Sequence, residues 1–272
     1  MCYHPTMRRL ALAALGLLLT AGPVHAADVL SEARRLYNAG KFDLAAAAAR
    51  EAMAVDATAD AARVVLGRIQ LEQFRQHARP EDFMAARESL RAADARPLHY
   101  RERLELSIGQ AEVLFLDDRF GAAAELFEAT LDRSMVLGPI AHERVLDWWA
   151  TALDRHAQSR PVEERPAIYA RILDRVTAEL AADGGLAPAS YWLVVAARGT
   201  GDLERAWQAA IAGWVRASQA PDGGAALRAD LDRLVTQAII PERATRLKIS
   251  DPRQAAAGMA NEWAAFKEGW AK

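Results

Sequence analysis

The apolar positions of this chain recur at helical spacing from Ala27 almost to its end. Val29, Leu30, Ala33, Leu36 and Tyr37 follow an i, i+3/i+4, i+7 rhythm that stops at Gly40, which predicts an amphipathic helix closed by a glycine turn. Phe42, Ala45, Ala46, Ala49 and Ala52 continue the rhythm and predict a second helix reaching about Val55. The stretch Leu104 to Ser134 shows the same design most clearly. It reads as two short helices joined by a tight turn at Asp117-Asp118-Arg119. Ala111 and Ala123 sit where the helices cross, and Leu114, Phe120 and Phe127 act as wedges. Alanine is the best helix former, and its small side chain lets two helices approach closely.

Related spacing recurs along the chain. A second unit is expected from Ala61, with Leu66, Gly67 and Gln70 on its first helix and Phe83, Ala86, Leu90, Ala93 and Pro97 later. Asp56 to Asp60 read as the loop before it, and its internal turn reads as stretched around Arg75 to Pro80. A degenerate fourth pair places Trp148, Trp149, Ala150 and Leu153 on one helix and Tyr169 to Leu180 on its partner, across the linker Gln158 to Pro166. A fifth unit recovers the pattern through Tyr191, Val194, Ala197, Gly201, Leu203, Ala206, Ala210 and Gly213. The Asp-Gly-Gly runs beside it at 183–185 and 222–224 supply turn geometry. Beyond Ala225 a helix is expected to Ala238, stopped by Pro241. A last helix is capped by Ser250 or Asp251 and carries the stripe Met259, Trp263, Phe266, Trp270.

A small residue, Leu or Tyr, a Gly turn, an aromatic and then alternating Ala and large residues together resemble the tetratricopeptide repeat. The quoted residues of the first, second, third and fifth units carry that resemblance. Asp118 replaces the turn glycine of the third unit, Ala49 is smaller than usual, and the closing proline of the first unit is missing. The resemblance implies an all-α fold: a right-handed superhelical solenoid of antiparallel helix pairs over residues 27–220, with C-terminal capping helices over 221–272. It also implies a concave groove, lined by first helices, that takes a peptide or protein. Carried over by position, the groove would present Arg34, Tyr37 and Asn38, then Arg68, Leu71 and Glu72, then Glu105, Glu112 and Phe115, then Thr151, Asp154 and Arg155.

Composition adds a compartment. Arg8 and Arg9, the apolar run Leu10 to Ala21 and the Val24-His25-Ala26 site read as a signal peptide, residues 1–26, cleaved after Ala26. The run is short for a membrane anchor, so no stable span is expected after cleavage. The single cysteine, Cys2, lies in that leader, so the mature chain is expected to hold no disulfide and no thiolate site. The bias to Arg and Ala suits a GC-rich bacterium, hence the periplasm or secretion. Of 34 Lys and Arg, the leader takes Arg8 and Arg9 and no acid, leaving 32 basic against 36 acidic side chains. That near balance, without a long basic run, argues against nucleic acid as partner.

No G-x-S-x-G, phosphate loop, G-x-G-x-x-G or H-E-x-x-H occurs. The mature histidines His77, His99, His142 and His156 show no ligand spacing, so no metal or cofactor is expected. The reading is a non-catalytic protein-interaction scaffold. An alternative rests on the tryptophans, all in the second half. Trp148, Trp149, Trp192, Trp207 and Trp214 either fill a bulky core or line a pocket for an apolar ligand. A helical enzyme without a recognisable motif stands third.

Overall fold

The computed structural model describes residues 23–220, 222–247 and 251–270. Residues 1–22 of the expected leader (1–26) and the candidate cap Ser250 lie outside the described residues. Among them the chain is all-α, with no strand. Among the described residues no helix is long and apolar enough to cross a membrane.

In chain order the helices are α1 (Pro23–Asn38), α2 (Phe42–Ala52), α3 (Asp56–His77), α4 (Pro80–Ala92), α5 (Tyr100–Leu116), α6 (Phe120–Leu131) and α7 (Pro139–Gln158). There follow α8 (Arg165–Ala182), α9 (Ala187–Gly199), α10 (Leu203–Arg216), α11 (Ala225–Leu234), α12 (Ile240–Arg246) and α13 (Pro252–Gly269). A 3₁₀ turn, Ser134–Leu137, precedes α7, and a π-helical stretch, Val235–Ile239, joins α11 to α12. Sequential helices pack as neighbours: α1 on α2, α3 on α4, α5 on α6, and α9 on both α8 and α10. In addition α3 touches both α1 and α5, so these first helices lie side by side.

Three of the connections are the same turn. Lys41 N donates to Leu36 O at 2.9 Å, Arg119 N to Leu114 O at 2.8 Å, and Asp202 N to Ala197 O at 3.0 Å. In each, the residue before the donor has positive φ: Gly40 at 70°, Asp118 at 57° and Gly201 at 86°. The bond across a left-handed residue satisfies carbonyls that a helix end leaves open. Aspartate tolerates that conformation better than most side chains, which is how Asp118 replaces glycine.

The small residues sit where helices meet. Ala33, Ala45, Ala49, Ala111 and Ala123 are all fully buried. Leu90 of α4 is wedged between α3 and α5: a Cβ at Gly67 would lie 2.6 Å from Leu90 Cγ, and one at Gly109 2.9 Å from Leu90 Cδ2. The apolar core falls into two clusters. One spans α1 to α5 around Ile69, Leu71 and Leu90; the other spans α5 to α13 around Phe127, Trp149, Ile172 and Trp263.

Some boundaries differ from the expectation. Asp56–Asp60 is the first turn of α3, not a loop: Thr58 Oγ1 donates to Ala52 O at 2.7 Å and ties it to the end of α2. At its other end α3 runs to His77, so the extra length of the second unit is helix rather than a stretched turn. Only Ala78, left-handed at φ 52°, and Arg79 join it to α4. Nor does Pro241 stop the helical run. The π stretch ahead of it changes the hydrogen-bond register, and Pro241 enters α12 in the first turn, where a missing N–H costs least. The last helix starts as expected, with Asp251 accepting from Arg253 N and Gln254 N.

Candidate partner-binding cleft

Four helices, α1, α3, α5 and α7, turn one face each toward a common cleft of about 490 Å³. Seven of the expected groove residues line it: Arg34, Tyr37, Asn38, Arg68, Glu72, Glu105 and Glu112. The other five do not. Phe115 stands behind the wall, edge-on to Trp148 at 4.9 Å and to Phe120 at 5.2 Å. Thr151 and Arg155 lie beyond the cleft, because α7 starts at Pro139 and offers its earlier turns, Ile140, Arg144 and Trp148. Asp154 likewise points elsewhere and accepts a 2.7 Å bond from Tyr169 Oη. Leu71 is a fully buried core side chain.

The floor is a web of guanidinium and carboxylate groups. Arg34 donates to Glu102 at 2.8 Å and lies 3.8 Å from Glu105, which Arg101 approaches at 3.4 Å. Glu72 accepts from Arg144 at 2.9 Å and from Tyr37 Oη at 3.3 Å, and lies 2.9 Å from Arg75. Arg75 also donates to Glu112 and lays its guanidinium 4.5 Å from the centre of the Trp148 ring. Burial pushes the Glu72 carboxyl up, but Arg75 and Arg144 together outweigh that and hold it below its usual range. Burial pushes the Tyr37 hydroxyl up. The lip is apolar: Ile140 is 76 % exposed, beside Met135 at 56 % and Val136 at 52 % on the 3₁₀ turn.

Arg75, Arg101, Arg144, Ile140 and Trp148 belong to this site, and the sequence reading left them out of the groove. Arg68, Glu72 and Arg75 are spaced i, i+4, i+7, so one helical face holds all three. That signal was lost by ending α3 too early. Of the five tryptophans considered for an apolar pocket, Trp149, Trp192 and Trp207 are buried core side chains. Trp148 lines the cleft and Trp214 is half-buried, edge-on to Trp263 at 5.4 Å.

A Ser-His-Glu chain also occurs. Ser134 Oγ lies 2.7 Å from His142 Nδ1, and His142 Nε2 lies 3.1 Å from Glu179 Oε2. Ser134 is wholly buried and its Oγ donates to Leu131 O at 2.7 Å, so this oxygen is sealed from any substrate. The chain ties the 3₁₀ turn, α7 and α8 together and so holds the lip in place.

Comparison with protein-family models, with curated proteins and with solved structures gives no match.

Proposed function

We propose that the chain is an exported, tetratricopeptide-like solenoid that acts as a non-catalytic scaffold, with α1, α3, α5 and α7 forming the groove for a peptide or protein in the periplasm. The observation that carries this is convergence: residues between 34 and 148, most of them on four separate helices, line one cleft. The three matching turns support a repeated unit. Exposed Ile140 beside a mixed-charge floor is the composition of a protein-contact surface, an apolar anchor within a polar surround.

The test is co-purification from periplasmic extract of the tagged mature chain, beside an Ile140→Ser/Arg144→Glu variant. Both side chains are more than half exposed, so the variant should fold. A protein retained by the parent and lost by the folded variant is the expected result. Equal retention by both would remove the cleft from the proposal.

A further inference from the structure

The ionisable groups of the cleft do not balance, and the imbalance falls on one side chain. Four guanidinium groups (Arg34, Arg68, Arg101, Arg144) and three carboxylates (Glu72, Glu105, Glu112) line the cleft, and one further guanidinium and carboxylate, Arg75 and Glu102, pair with these from behind. Each carboxylate is engaged by an arginine other than Arg68. Arg68 has no carboxylate within 4.0 Å among the described residues. Its one hydrogen bond is from Nη2 to Tyr37 Oη at 3.2 Å, and its guanidinium stacks 5.1 Å from the Tyr37 ring centre. Its Nε is buried without a partner.

A guanidinium keeps its charge at all ordinary pH and offers five donors in a fixed plane that matches a carboxylate. Burial disfavours the Arg68 charge, and Tyr37, Glu112, Glu105 and Glu72 offset that through their field, yet no carboxylate bonds to the guanidinium, so an incoming carboxylate would gain direct hydrogen bonds that these groups do not make. Neighbouring Glu72, Glu105 and Glu112 repel a second negative charge, so the site suits one charge and not a polyanion. An apolar group attached to the ligand would meet Ile140, Leu137 and the Trp148 ring, all on the same cleft wall.

We infer that the cleft recognises a single carboxylate, held by Arg68, on a peptide segment that also carries an apolar side chain next to the acid. This rests on the peptide-groove reading above. The carboxylate can belong to a Glu or Asp side chain or to a peptide C-terminus, and the experiment separates these and sets a free acid against both.

The mature protein, an Arg68→Gln variant and a Met84→Ala variant, its side chain exposed on α4 outside the cleft, would each be used to select from two displayed random octapeptide libraries, one with free and one with blocked C-termini. Sodium hexanoate would be titrated against all three by thermal shift. Circular dichroism and the melt without ligand would establish that Arg68→Gln is folded. The expected result is enrichment of peptides with one Asp or Glu beside an apolar residue from the blocked library, by parent and Met84→Ala. The same peptides should bind Arg68→Gln about tenfold or more weakly, the loss of one charged hydrogen bond. Enrichment only from the free library would assign the carboxylate to a terminus. Enriched peptides without an acid, or equal binding to Arg68→Gln, would overturn this inference and leave the peptide groove standing. A hexanoate shift that needs Arg68, with no peptide enriched, would overturn the peptide groove and move the carboxylate to a small molecule. No enrichment and no shift would overturn both.

Discussion

At the residue scale the cleft is held by charges that are costly to separate. Glu112 is buried and grips Arg75, which in turn covers Trp148. Breaking a fully buried pair costs about 3–5 kcal/mol. Arg75 keeps 22 % of its side chain exposed and retains Glu72, so we expect Glu112→Ala to cost nearer 2 kcal/mol in a urea melt. An unchanged midpoint would show that the pair adds nothing. Glu72 predicts a pH dependence. Its folded pKa is depressed, so its contribution is full above the unfolded value of about 4.3 and is lost as pH falls through the folded value. Parent stability should therefore drop more steeply than that of Glu72→Gln between about pH 5 and pH 3. Parallel curves would remove Glu72 from the account.

At the scale of the element, turns and crossings decide the packing. Asp118 occupies the place that Gly40 and Gly201 hold in the matching turns. Gly40→Ala and Gly201→Ala should each destabilise by about 1 kcal/mol, because a Cβ strains the left-handed conformation, whereas Asp118→Gly should be neutral or stabilising. Thermal melts showing the opposite order would refute the equivalence of the three turns. Ala123 is fully buried at the α5–α6 crossing, and Ala123→Leu should cost about 1–3 kcal/mol by overpacking.

Much of this was legible in the sequence. The Gly and Asp turns, Ala111, Ala123 and the Asp251 cap follow from local chemistry, and local chemistry is visible in one stretch of chain. Helix lengths were less so. Nothing at Arg75 or Trp148 marks an end or a start, since α3 is extended and α7 is aligned by contacts with other helices. For the same reason the positions expected to face the cleft do so on α1 and, except Phe115, on α5, whereas on α3 the expectation takes in buried Leu71 and omits Arg75, and on α7 it falls one to two turns late. The excess charge at Arg68 depends on which arginines take the four carboxylates, and sequence spacing does not give that.

For the whole molecule, the two core clusters meet at α5, and the cleft spans that junction with Val65 on one side and Val145 on the other. Far from it, α13 closes the second cluster. Trp263 is buried against Trp207 and Trp214, its Nε1 donates to Asp232 at 2.7 Å, and Lys267 donates to the same carboxylate at 2.6 Å. Removing residues 251–272 should expose that aromatic group, red-shift the tryptophan emission and lower the melting temperature. Unshifted emission would mean that α13 does not seal the core. The central claim, that the face shared by α1, α3, α5 and α7 is where a protein binds, is tested most directly by photo-crosslinking in cells that express the chain. A benzoyl-phenylalanine would replace Ile140 on the cleft lip or Met84 on α4, both exposed. The account predicts a discrete protein adduct from position 140 and none from position 84. An adduct from position 84 alone, or from both equally, would contradict it.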